Sequence, residues 1–213
     1  RVTLRQLLTM SSGLPSRIGE VPTYAAAVEA PFNAAPGERF QYGPAPYQAF
    51  GEVMRRKLTA SGQSPDPLVY LERRVLQPAG SVAGAWRRGA DGQPMMPQGA
   101  AMTARDWARV GELVRAEGAL YRDLFAPSAT NPAYGVGWWL PNPGPGAVTA
   151  STDLGEGGAD IPRDLVMAAG AGDQRLYVIP SRKLVVVRHA RLRAQSRWSD
   201  AEFVKLALML AAP

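Results

Sequence analysis

Val2-Thr3-Leu4-Arg5-Gln6-Leu7-Leu8-Thr9-Met10-Ser11-Ser12-Gly13-Leu14 is the stretch on which the fold assignment turns. Thr3 supplies an N-cap hydroxyl for a short helix, and Ser11-Ser12-Gly13-Leu14-Pro15 is a cluster of helix breakers that ends it. The chain opens directly inside this helical unit and does not begin like a leader sequence.

Outward from there, Pro36-Gly37-Glu38-Arg39-Phe40-Gln41-Tyr42 reads as a turn leading into a short extended segment. Tyr47, Phe50, Val53, Met54 and Leu58 recur at helical spacing, which predicts an amphipathic helix from Pro46 to Leu58 that stops before Ser61-Gly62. A further helix is predicted from Pro67 to Leu76, and residues 81 to 102 are turn-rich with short strands around Val82 to Trp86. Thr103-Ala104-Arg105-Asp106 resembles a capping box and opens a helix running to Gly118. Tyr134 to Leu140 is strand-like, with Asn142-Pro143-Gly144-Pro145-Gly146 ending it. Arg175 to Ile179 and Lys183 to Arg188 form a hairpin around Pro180-Ser181-Arg182, with a weaker strand at Leu165 to Ala168. Ser199-Asp200-Ala201-Glu202 caps a closing apolar helix.

Helices dominate the first half and antiparallel strands the second, an α+β arrangement. The expected architecture is a single domain over residues 1–213, an antiparallel sheet packed by the N- and C-terminal helices. A mostly helical subdomain spans 20–125, and the sheet portion with the C-terminal helix spans 126–213.

Composition narrows the chemistry. Hydrophobic residues make up 46% and charged residues 20% of 213, which is ordinary globular usage. No run approaches the roughly 18 apolar residues of a membrane span. The absence of cysteine excludes a thiolate nucleophile and a Cys-based metal site, and the carboxylates show no metal-ligand spacing, so neither metal nor cofactor is expected. A net charge of +6 could serve nucleic acid, but the arginines are scattered and no stacking aromatics lie between them, so no nucleic-acid partner is expected.

Four blocks then carry a resemblance. Val2 to Leu14 is similar to "ITLRHLLTHTSGL", with Gln6 and Met10 in place of two histidines. Pro36 to Tyr42, followed by Tyr47, Phe50, Gly51 and Glu52, resembles "PGxxFxYSNxxYxxLGxI". Gly99 to Arg109 looks like "GGLxSTAxDLARF". Gln174 to Pro180 with Leu184 to Val187 is similar to "GQxLYVxPxxxLVVV". In this order they resemble the β-lactamase-related serine hydrolase family, which includes class C β-lactamases, D-alanyl-D-alanine peptidases, esterases and short-amide hydrolases. The resemblance implies a β-lactamase and penicillin-binding-protein-like fold. It implies acyl-serine chemistry on a small-molecule ester, amide or β-lactam, and makes a periplasmic or secreted location plausible.

That chemistry needs Ser-x-x-Lys on a helix, which places the amine on the hydroxyl's face. No serine here has lysine three residues on; Lys57, Lys183 and Lys205 follow Met54, Pro180 and Glu202 at that spacing. In the family this motif precedes the first block, so the expectation is an N-terminally truncated chain that is inactive by itself. Tyr42 matches the tyrosine of the family's Tyr-x-Asn motif, a proton relay to the leaving group, while Pro44 replaces the asparagine. Ala168-Ala169-Gly170 stands where the family has Lys-Thr-Gly or His-x-Gly. The cationic or imidazole group is missing, and Gly170 and Gly172 are left as backbone candidates for substrate approach and oxyanion binding. His189 lacks a Gly-x-Ser-x-Gly partner and reads as structural, and one of Trp138 and Trp139 could wall a cleft. The alternative is a non-catalytic binding protein that retains the fold.

Overall fold

The first helix forms where its cap demands. In the computed structural model, which describes residues 1–15, 17–118, 122–140, 146–150, 152–191 and 198–211, Thr3 accepts from the Gln6 amide at 3.2 Å, and the Gln6 side chain returns to the Thr3 amide at 2.9 Å. This reciprocal box, a contribution of about 0.5–2 kcal/mol, opens α1 (Leu4–Leu8). The chain divides into two compact units, residues 1–103 and 104–213.

In the first unit α1 is followed by α2 (Tyr24–Glu29), α3 (Ala45–Ala60) and α4 (Pro67–Leu71), which continues into a π-helical turn over Glu72–Leu76. A two-stranded ribbon of β1 (Ala85–Trp86) and β2 (Ala100–Ala101) follows. The amphipathic helix predicted from Pro46 to Leu58 is α3, capped at Ser61. Its Ala45 and Ala49 pack with Leu7 of α1, Leu14 and Ala27 of α2 in the unit's apolar core. The small residues let the three helices approach closely.

Polar groups sit at the edge of that core. Glu52, 5% exposed, receives the Arg55 fork at 2.7 and 2.8 Å and Arg56 Nε at 2.6 Å. The Arg55 hydrogen bonds, helped by Arg56, outweigh burial and hold its carboxyl down at about 2. The folded value lies below the ordinary 4.5, so the arrangement contributes fully above that pH and loses its contribution as pH falls toward 2. Glu52→Gln should therefore flatten the decline of Tm between about pH 4.5 and 2. A decline as steep as the parent's would remove Glu52 from the acid response.

The second unit is built on a three-stranded antiparallel sheet in the order β3 (Val166–Gly170), β4 (Gln174–Ile179), β5 (Leu184–Arg188). Both the predicted hairpin and the weaker strand are present. The hairpin closes through a 3₁₀ turn at Pro180–Arg182 with Lys183 in the left-handed region. Register pairs Ala168 with Leu176 and Leu176 with Val187, so Val166, Ala168, Leu176, Val178, Val185 and Val187 share one face. That face is covered by α5 (Ala104–Ala116). Gly111 permits this contact, because a Cβ there would lie 2.8 Å from both Leu176 and Val185. The opposite face carries Tyr177, whose ring lies 6.0 Å from Phe203 of the closing helix α6 (Asp200–Leu210). Ser199 caps α6 by accepting from the Glu202 amide at 3.0 Å, as its sequence predicts.

One expected element takes a different form. Residues Tyr134 to Leu140 do not run as a strand: Gly137 has φ +82, the Gly135 amide donates to Trp138 O at 2.8 Å, and Tyr134 bridges back to Trp139 in a tight loop. Two glycines bend what the aromatic and β-branched residues would otherwise extend. The turn read at residues 142 to 146 lies, for 142 to 145, outside the described residues. Among the described residues no helix is long and apolar enough to cross a membrane.

Candidate active site

The position of Tyr42 is set by backbone hydrogen bonds before any side chain acts. Met10, buried and at φ +58, offers its carbonyl to the Gln41 amide at 2.7 Å. Ser11 O accepts from the Gly37 amide at 2.7 Å and Gly13 O from Asn33 at 3.0 Å. Gly13 is at φ +81, and a Cβ there would stand 2.2 Å from Ala34 O, so this close seam requires glycine. The first and second sequence blocks thus meet through their main chains. Tyr42 emerges half-buried next to Phe40, ring centroids 6.4 Å apart, two residues ahead of Pro44, the N-cap of α3. Pro44 makes no side-chain cap. It fixes φ at −76° without offering the amide that asparagine carries.

Gly170 and Gly172 lie in the second unit, on the last residue of β3 and in the turn to β4. Met167 exchanges hydrogen bonds with Trp139 at 2.8 and 3.0 Å on the side of β3 away from β4. In an antiparallel ladder backbone polar groups alternate in direction. Val166, Ala168 and Gly170 therefore turn theirs toward β4, where Gly170 registers with Gln174, and Ala169 turns its N–H and C=O toward the outer edge. The Gly170 carbonyl also accepts from Arg175 Nη1 at 3.3 Å. A trans peptide places the next N–H opposite, so the Ala171 amide points the same way as Ala169's. The outward N–H groups of this edge belong to Ala169 and Ala171, with hydrogen-only Cα atoms at 170 and 172 beside them.

Behind this edge lies a polar cluster that local sequence patterns do not reveal. Arg175, 3% exposed, donates from Nε to Asp200 at 2.9 Å, and Asp200 is 2% exposed. The Tyr177 hydroxyl and Trp198 Nε1, the latter at 3.1 Å, donate to the same carboxylate. Burial, reinforced by Asp200, pushes the Tyr177 phenol well above its ordinary range. Arg188 stacks over Trp198 at 3.8 Å and donates to Asp173 O at 2.5 Å. The signal was a charged residue and a phenol alternating along one face of β4, but Asp200 is 25 positions away.

The remaining candidates take structural places. His189 is exposed at the end of β5 and stacks on Trp107, centroids 5.4 Å apart. Trp139 is buried against Tyr134 at 4.8 Å, and Trp138 meets Phe125 edge-on at 5.6 Å within the sheet's apolar cluster, so both indoles pack. Ser11 and Ser12 are buried, one hydroxyl 3.1 Å from Thr9 Oγ1 and the other accepting from the Leu14 amide at 3.3 Å.

Comparison with known proteins agrees with this architecture. The chain matches a family model described as Beta-lactamase over residues 1–208. No curated protein sequence matches it. Among solved structures it is similar to a β-lactamase from Mycobacterium bovis, with 20% identity and TM-score 0.63, covering 96% of this chain and 73% of that one. It is similar to EstCE1, described as a hydrolase with promiscuous acyltransferase activity, with 16% identity and TM-score 0.61, over 99% of this chain and 71% of that one. It is also similar to simvastatin synthase from Aspergillus terreus, with 17% identity and TM-score 0.58, over 99% and 66%. At these identities the likeness is one of fold, and the chain spans 66% to 73% of the three chains' lengths.

Proposed function

The chain belongs to the Beta-lactamase family, and from that premise we propose that it serves a serine hydrolase acting through an acyl-serine intermediate on an ester, a small amide or a β-lactam. The observation that carries this reading is the family match across residues 1–208; Tyr42, two residues ahead of the Pro44 N-cap of α3, supports it by its likeness to the tyrosine of the Tyr-x-Asn motif. In the proposed reaction the lysine of a Ser-x-x-Lys, a motif these 213 residues do not contain, takes the serine proton as the hydroxyl attacks the substrate carbonyl. Tyr42 passes a proton to the leaving group, and water then releases the acyl group. The outward amides of Ala169 and Ala171, flanked by Gly170 and Gly172, supply fixed N–H donors of the kind a developing oxyanion needs.

The replacements favour a substrate other than the family's best-known ones. Pro44 removes a side-chain amide, and Ala168 removes the Lys or His of the third motif, so recognition falls on shape and backbone. An ester or small amide suits this better than a β-lactam carrying a charged group. The same losses favour a second reading, a non-catalytic protein that retains the fold. An assay with a nitrophenyl ester and a chromogenic cephalosporin separates them. Ester turnover is expected from the longest reading frame containing these residues, and none above background from the 213-residue chain alone. Turnover by the 213 residues would contradict the assignment of the nucleophile to another segment, and silence of the longer protein would favour the second reading.

A further inference from the structure

We infer that Arg175 is a positioning residue for the outer edge of β3: anchored from behind by Asp200, its guanidinium holds the β3–β4 turn so that the Ala169 and Ala171 amides keep their outward direction. This rests on the reading of that edge as the face that meets the substrate carbonyl.

The argument starts from where the fork's hydrogen bonds fall. On one side Nε donates to Asp200 at 2.9 Å, and Nη2 reaches its second oxygen at 3.5 Å. On the other side Nη1 donates to Gly170 O at 3.3 Å and Gln174 O at 3.2 Å, and Nη2 to the Asp173 carboxylate at 3.2 Å. Three partners thus belong to the five-residue stretch from Gly170 to Gln174. Two further carbonyls of the stretch are held by neighbouring side chains: Gln174 Nε2 lies 3.4 Å from Gly172 O, and Arg188 donates to Asp173 O.

A turn with Gly172 at φ +71 and Asp173 at φ +57 has several alternative geometries. Pinning the Gly170 and Gln174 carbonyls and the Asp173 side chain to one guanidinium selects one of these geometries, and with it the direction of the Ala169 and Ala171 N–H groups. A buried ion pair is weak support for stability, because apolar residues of the same volume often serve as well. A planar fork that bridges a helix terminus and a turn is a means of fixing geometry, and only arginine provides it.

Arg175→Lys is the test, because lysine keeps the charge beside Asp200 and loses the fork. In the longest reading frame containing these residues, peptide-resolved hydrogen exchange should show the 169–174 amides exchanging about tenfold faster or more, while the β4–β5 ladder around Tyr177 and Val186 is unchanged. With a nitrophenyl ester, kcat should fall about 10- to 100-fold with KM little altered, as expected of misplaced rather than lost donors. If Arg175→Lys does not fold, Asp173→Asn removes the charge from one turn contact, leaves the Asp200 pair intact, and should loosen the same amides to a smaller degree. Asparagine tolerates the left-handed backbone there. Unchanged exchange at the turn, or acceleration spread evenly over the sheet, overturns the inference. If the parent turns over no ester yet the variant loosens only the turn, Arg175 still sets the turn and the hydrolase reading fails.

Discussion

Asp200→Ala is expected to destabilise the protein by about 3–5 kcal/mol, a large share of a typical domain's margin of about 5–15 kcal/mol. The reason is asymmetry. Asp200 is almost fully buried and accepts from Arg175, Tyr177 and Trp198. Its removal leaves a guanidinium that is 3% exposed without its buried carboxylate partner, with the more exposed Asp173 at 3.2 Å still beside it, and a buried hydroxyl without this acceptor. Tyr177→Phe, which deletes one donor cleanly, should cost only about 0.5–1.5 kcal/mol. Arg175→Met combined with Asp200→Leu should recover most of the loss, because both charges leave together. Chemical denaturation of the four proteins measures this. A single alanine variant within about 1 kcal/mol of the parent would mean that water reaches the pair.

The second large effect concerns turnover. Tyr42→Phe removes one oxygen from a half-buried ring and leaves its packing beside Phe40, so the fold should be retained. If Tyr42 relays the leaving-group proton, kcat/KM on an ester should fall about 10²- to 10⁴-fold. The loss should also be smaller for a nitrophenolate leaving group, which departs without a proton, than for an alkyl alcohol, which does not. A uniform loss across leaving groups, or less than a threefold change, would make Tyr42 a packing residue.

Much of the fold was legible because its determinants are local. The Thr3 and Ser199 caps, the apolar spacing of α3 and the Pro180 hairpin are each written within a few residues, and the four blocks stand in the family's order. The place of Tyr42 just ahead of a helix start was legible for the same reason. What escaped the sequence depends on register and distance. Which amides of Ala168 to Ala171 face outward follows from the Met167–Trp139 bridge, and no pattern within those residues encodes it. Trp138 and Trp139 suggested a strand period until Gly135 and Gly137 were seen to turn the chain. Arg175 looked like one more scattered arginine, since its burial is created by a helix 25 residues later.

Covalent labelling tests the central claim most directly. The longest reading frame containing these residues is treated with a fluorophosphonate, digested, and the modified residue located by mass spectrometry. The acyl-serine account predicts one label, on the serine of a Ser-x-x-Lys outside the 213 residues, and no label on Ser11, Ser12 or any other serine within them. A label on a serine among the 213, or an esterase that turns over substrate without being labelled at serine, would contradict it.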